Sequence, residues 1–198
     1  MTESSSTGSL RRIVVIGPES TGKSTLCEEL AQHYDASWCP EFAREYLLTY
    51  GTDYAFEDLL TIAKGQLALE DEYAILAQQE WEAQEHKKTT FPILFVDTNM
   101  YVMKVWCEYV FGKCHPFILE QIVERKYDLY LLCNTDLPWV KDELREYPDL
   151  HSRQELYLMY KDIVLNQNIP WVDISGDDEA RFQSAVSGIQ QHLPSILS

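Results

Sequence analysis

Eight consecutive residues constrain this chain more than any other stretch: Gly17-Pro18-Glu19-Ser20-Thr21-Gly22-Lys23-Ser24. They fit G-x-x-x-x-G-K-[ST] without mismatch. Ahead of them runs Ile13-Val14-Val15-Ile16, a continuous β-branched run of the kind buried on both faces of a parallel sheet. Behind them, 24–34 sets Leu26, Leu30 and Ala31 on one helical face and Glu28, Glu29 and Gln32 off it. Gly17 and Gly22 let the backbone turn and come close to an anion. The loop N–H groups and the following helix N-terminus present partial positive charge to it. A buried strand, a glycine-bounded loop and an amphipathic helix in that order describe a site for a nucleoside triphosphate. Within it Glu19, Ser20, Thr21 and Thr25 join the two glycines, Lys23 and Ser24 as expected nucleotide contacts. Lys23 reaches the β and γ phosphates, and the Ser24 hydroxyl holds Mg²⁺.

The rest of the chain repeats the same alternation. Ile93-Leu94-Phe95-Val96, Leu129-Tyr130-Leu131-Leu132 and Trp171-Val172-Asp173-Ile174 read as strands, with a weaker one at Ser37-Trp38-Cys39 closed by Pro40. Helical patterns cover 42–50, 56–88, 100–111, 117–126, 152–166 and 179–192. Gly65 weakens the middle of 56–88, which leaves one helix or two open there. Strand then helix, repeated about five times, argues for an α/β fold with a parallel sheet and helices on both faces. A length of 198 residues suits one domain. We expect a flexible tail at 1–10 and a single domain at 11–198. The stretch 134–152 carries two prolines and seven charged residues with few core-like positions. It reads as a lid, at about 134–153, rather than a boundary.

Charge and composition narrow the partners. The formal net charge of −16, with no basic stretch, argues against nucleic acid, whose binding rests on Lys and Arg at phosphates. Apolar runs stop at about five residues where a membrane span needs about 20. Five cysteines without a CxxC pair imply free thiols, so a reducing compartment, the cytoplasm, is expected. The Ser/Thr-rich start does not read as a signal peptide.

Two carboxylates are placed to do chemistry. Asp97 ends a buried strand, the expected place for a group near Mg²⁺. Its rival role is an N-cap for the helix from Met100, with Thr98 and Asn99 competing for that job. Glu41 follows the short second strand, which also opens toward the phosphates if the sheet is wound as expected. It would accept the proton of an attacking hydroxyl, or form a structural pair with Arg44 on the same helical face. In the lid, Arg145 and Arg153, and with less force Lys141, would stabilise charge on the transferred phosphoryl group. Trp139 and Trp38 lie near strand ends, where either would stack on a planar, cationic ring.

Taken together these residues resemble a known family, the ribosylnicotinamide kinase domain of the trifunctional NAD-biosynthesis regulators (the NadR type). The resemblance is carried by 17–26 (GPESTGKSTL), 40–46 (PEFAREY), 95–98 (FVDT) and His115-Pro116-Phe117. It continues through 127–132 with Pro138-Trp139-Val140, Leu144-Arg145, Ser152-Arg153, 169–172 and Ala180-Arg181-Phe182. It covers roughly 13–193. It implies a P-loop NTPase fold, a five-stranded parallel sheet of order 2-3-1-4-5. It also implies ATP-dependent phosphorylation of the 5′-hydroxyl of nicotinamide riboside to nicotinamide mononucleotide. By position, Lys23 and Ser24 serve ATP and Mg²⁺, and Asp97 and Glu41 are the acidic groups near the sugar hydroxyls and metal. Arg145 and Arg153 are lid residues, and Trp139 contacts the nicotinamide ring. Which of Glu41 and Asp97 is the base stays open. The chain lacks the HxGH motif of adenylyl transfer, so the expected product is the mononucleotide, and no transcriptional role through DNA is expected.

Three alternatives stand beside this reading. One is a kinase for another nucleoside. One is a sensor that binds ATP and an NAD precursor without turnover. The third is a GTPase switch, for which Asn134-Thr135-Asp136 sits where a guanine motif would lie but lacks the Lys of N-K-x-D. A homo-oligomer is compatible with the sequence, and the 56–88 segment would then cover the substrate or form a dimer surface.

Overall fold

The fold is taken from a computed structural model, which describes residues 8–141, 144, 147–194 and 196–197. Five strands form one sheet: β1 (Arg11–Ile16), β2 (Ser37–Cys39), β3 (Ile93–Asp97), β4 (Leu129–Cys133) and β5 (Trp171–Ile174). Their spatial order is β2-β3-β1-β4-β5, and every pairing is parallel. Both the α/β class and the strand order that the family resemblance implies are therefore present. β1 lies at the centre, so Ile13, Val14, Val15 and Ile16 have no exposed surface, which explains a run with no polar alternation.

The helices divide between the two faces. Ile13 and Val15 point to one face, under α1 (Lys23–Tyr34) and α7 (Asp178–His192). Val14 and Ile16 point to the other, under α3 (Phe56–Ala83), α4 (Met100–Phe111) and α6 (Leu150–Leu165). Two shorter helices, α2 (Phe42–Tyr50) and α5 (Pro116–Glu124), pack on α3 and α4 in a third cluster around Leu59, Ile62 and Met103.

The structure settles the 56–88 segment as one helix ending at Ala83. Gly65 is there for space rather than flexibility. A Cβ at Gly65 would meet the Phe42 ring at 2.2 Å, so the glycine lets α2 lie against α3. Favourable packing outweighs the roughly 1 kcal/mol that glycine costs a helix interior. Among the described residues no helix is long and apolar enough to cross a membrane. All five cysteines are free thiols.

Candidate functional site

The carboxyl ends of β1, β2 and β3 open onto a cavity of about 350 Å³. Its floor is the phosphate loop. Gly17 adopts φ +144°, and a Cβ there would lie 2.7 Å from the Cys133 carbonyl oxygen, so only glycine lets β1 run this close to β4 as it turns. Gly22, at φ +75°, turns the chain into α1 from the N-cap position. No side chain caps α1, and its first turn holds no acidic residue. The unpaired N–H groups of that turn are thus left for an anion. Inside the loop the Thr21 hydroxyl donates to the Pro18 carbonyl at 2.8 Å, and Lys23 Nζ donates to the same oxygen at 2.9 Å. The whole of 17–25, with Glu19, Ser20, Thr21 and Thr25, borders the cavity.

The two carboxylates predicted from sequence both line the cavity. Asp97 is 1% exposed and accepts from the Ser24 hydroxyl at 2.5 Å through Oδ2. Its Oδ1 is buried without a hydrogen-bond partner. It is free of the helix-capping role, because Asn99 Oδ1 accepts from the Tyr101 N–H at 3.0 Å and caps α4 instead. Thr98 between them takes φ +77°, the bend that turns β3 into α4. Glu41 occupies the N-cap position of α2 but does not cap it with its side chain. The α2 start is held from elsewhere. Gln66 of α3, 1% exposed, accepts from the Phe42 N–H at 2.7 Å and donates to the Pro40 carbonyl at 3.2 Å.

Burial pushes the carboxyl groups of Glu41 and Asp97 above their ordinary values. For Glu41 the charge of Asp97 adds to that, while Lys23, Arg44 and the Thr98 hydroxyl draw it back. For Asp97 the opposing pulls are Lys23 and its Ser24 hydrogen bond. Two close carboxylates that share a few cations favour a proton on one of them. A divalent cation fits this place. A hydroxyl and a carboxylate already converge, and a buried carboxylate oxygen lacks a donor. Mg²⁺ is commonly held by one or two carboxylates with phosphate oxygens completing its shell.

The wall opposite the phosphate loop is aromatic and aliphatic. Trp38 comes from β2, Leu47 from α2, Val102, Val105, Trp106, Tyr109 and Val110 from α4, and Leu156 and Tyr160 from α6. Arg44 stands at the same wall. The Trp106 indole N–H donates to the Tyr54 hydroxyl at 2.8 Å, which fixes the ring. Sequence reasoning reached Trp38 and Arg44, the latter as an expected substrate contact, and missed the rest of this wall. Its signal was present in an aromatic helix that follows directly on Asp97.

Described residues of the connection from β4 to α6 bond to the phosphate loop. The Tyr147 N–H donates to Glu19 Oε1 at 2.6 Å and the Val140 N–H to Ser20 Oγ at 3.0 Å. Trp139 is placed here and not in the cavity wall, its indole N–H donating to Glu19 Oε1 at 3.4 Å. A tryptophan bound to the phosphate loop's outer edge is held away from the aromatic wall. Arg153 is 3% exposed and donates to the carbonyls of Leu137 at 3.0 Å and Ser20 at 3.4 Å, also outside the cavity lining. Arg145 lies outside the described residues. Lys141 is exposed. The Asn134-Thr135-Asp136 segment is committed internally. Asp136 Oδ2 accepts from the Gly176 N–H at 2.5 Å, Oδ1 accepts from Arg181, and Asn134 Nδ2 donates to Asp173 at 3.3 Å. A carboxylate already holding two donors is spent for reading guanine.

A family model described as an AAA domain matches residues 12–181. The trifunctional NAD biosynthesis/regulator protein NadR of Escherichia coli (strain K12) is 27% identical over 189 residues, which cover 93% of this chain and 43% of that protein. The chain thus spans less than half the length of the curated relatives it matches. A crystal structure of a NadR protein in complex with NR superposes with a TM-score of 0.73 at 21% identity, covering 96% of this chain and 51% of that one. A NadR protein in complex with NAD and AMP-PNP gives 0.69 at 19%, covering 94% and 50%. At those identities the two superpositions establish the fold.

Proposed function

We propose that this chain, which belongs to the AAA domain family, is an ATP-dependent kinase that phosphorylates the 5′-hydroxyl of nicotinamide riboside to give nicotinamide mononucleotide. One observation carries the reading. A phosphate loop, a Ser24–Asp97 contact of 2.5 Å and a second carboxylate, Glu41, share one cavity with an aromatic wall large enough for a nucleoside. The NR and AMP-PNP complexes of the NadR proteins with the same fold support both ligands.

The loop N–H groups and the α1 N-terminus hold the triphosphate, and Lys23 exchanges its Pro18 carbonyl for phosphate oxygens. Ser24 and Asp97 would hold Mg²⁺, which supplies charge neutralisation at the phosphates. Because Asp97 is engaged by Ser24, Glu41 is the group that takes the proton of the sugar hydroxyl. Its raised pKa brings it nearer to neutrality, where a general base works well. Most of the catalysis is positioning and electrostatics. The cationic pyridinium suits aromatic faces and nearby carboxylates. We assign it to the Trp38–Trp106 wall rather than to Trp139, which stays with the lid. Within the lid at about 134–153, Arg153 reaches the Ser20 carbonyl of the phosphate loop, and Arg145 keeps its lid role from the sequence alone. The activity is a cytoplasmic one in this reading.

The test is direct. The purified chain is incubated with MgATP and a panel of nucleosides, and 5′-phosphorylated products are followed by mass. Nicotinamide mononucleotide as the main product is expected. Preference for another nucleoside overturns the substrate but keeps the kinase. ATP binding with no phosphorylated product overturns the kinase and favours a sensor.

A further inference from the structure

We infer that Arg181, held by Asp136, is a positioning residue that keeps the phosphate loop in its nucleotide-binding shape; this rests on the ATP-kinase reading. Arg181 sits in the first turns of α7 and is 3% exposed. A cation near a helix N-terminus works against the helix dipole, and a buried one needs partners. Arg181 finds them in three separate connections. Nη1 donates to the Thr21 carbonyl of the phosphate loop at 3.0 Å. Nη2 donates to the Asn134 carbonyl after β4 at 2.9 Å, and Nε to the Gly176 carbonyl after β5 at 2.9 Å. Nη2 also pairs with the Asp136 carboxylate, whose other oxygen takes the Gly176 N–H. The bonds close a ring that fastens the loop to the ends of two strands.

The Thr21 bond matters most. The Thr21 carbonyl and the Gly22 N–H belong to one planar trans peptide, so they point in opposite directions. Holding the carbonyl on Arg181 aims the Gly22 N–H to the other side of the loop, where Gly22 borders the cavity. Gly22 is at φ +75°, a position from which the glycine could readily swing without this anchor. Lysine cannot replace the guanidinium here, because a compact ammonium lacks the planar fork that reaches three carbonyls at once.

The experiment uses the full chain with Arg181→Lys, Arg181→Ala and Asp136→Asn. Calorimetry gives the MgATP dissociation constant, steady-state kinetics give KM for each substrate, and thermal melting gives the fold. In Arg181→Lys we expect a cooperative melt, MgATP binding weaker by about 10- to 100-fold and an acceptor KM within about twofold of the parent. Asp136→Asn should move in the same direction, and combined with Arg181→Lys should lose less than the sum. Added guanidinium should restore part of the MgATP affinity in Arg181→Ala; should that variant not fold, the lysine variant carries the comparison. A folded Arg181→Lys that binds MgATP within about twofold of the parent overturns the inference. So does an equal loss in both KM values, which would mark a general structural role. A parent protein that binds no MgATP at all sinks the kinase reading, and the inference with it.

Discussion

Gln66 offers a test of how the site is held. It touches no residue of the phosphate loop among its described hydrogen bonds, yet it fixes the backbone on both sides of Glu41. Gln66→Leu keeps the volume and removes the amide. The half-buried Phe42 N–H then loses its partner, and the Pro40 carbonyl keeps only the Cys39 thiol at 3.6 Å. Each loss costs about 1–3 kcal/mol, and the apolar leucine recovers roughly 1 kcal/mol by burial. The net loss comes to about 3 kcal/mol. For a domain of this length about 2–4 °C of melting temperature goes with each kcal/mol, so a fall of roughly 6–12 °C is expected. Glu41 loses its fixed approach, so kcat should fall about tenfold or more. MgATP affinity should stay within about twofold, since the phosphate loop is untouched. Melting, calorimetry and turnover on one preparation check all three. A melting temperature within about 2 °C of the parent would refute the accounting. Weakened ATP binding with unchanged kcat would refute the placing of Gln66 behind Glu41.

Four further outcomes follow from the site. Lys23→Ala should abolish phosphoryl transfer while circular dichroism stays that of the parent; near-normal turnover would remove the phosphate-loop assignment. Glu41→Gln should lower kcat by about 10²–10⁴-fold and leave MgATP binding in place, whereas undiminished turnover would shift the base to Asp97. Trp106→Ala should raise the KM for the riboside by about tenfold with the KM for MgATP unchanged; the reverse pattern would put the nucleobase elsewhere. The last concerns pH. Glu41 and Asp97 both have folded values raised above their ordinary 4.5 and 3.8 by burial. The stability they contribute is full below those ordinary values and is lost as pH rises through the raised ones. The ligand-free protein should therefore melt progressively lower as pH rises above those ordinary values. Asp97→Asn should shrink that decline and raise the melting temperature at pH 7. A decline of the same size in the variant would show that other groups cause it.

The phosphate loop, its strand and its helix were legible because every signal lies within about twenty residues. Glycine spacing, a β-branched run and a helical stripe are local facts, and local geometry follows from them. Asp97 and Glu41 were legible for a related reason, since each stands at the end of an apolar strand. In a parallel sheet such ends meet on one side. The alternation of strand and helix likewise fixed the class of the fold. It did not give the order of strands, which came from likeness to a family, because an α/β alternation is compatible with several windings.

Tertiary structure decided the rest. Gln66 reaches the Glu41 loop across 24 residues of chain, and Arg181 reaches Thr21 across 160. No spacing rule announces such partners, because they meet only when separate helices settle on the same sheet. The same holds for Trp139, which reads as a ring contact from its place after β4 yet bonds to Glu19 across 120 residues. Conversely, Trp106 and Tyr160 drew no site assignment from the sequence and line the cavity. An aromatic residue on a helix looks alike in sequence whether it faces a core or a cleft. What separates the two is whether another element fills the space in front of it, and only the packed chain decides that.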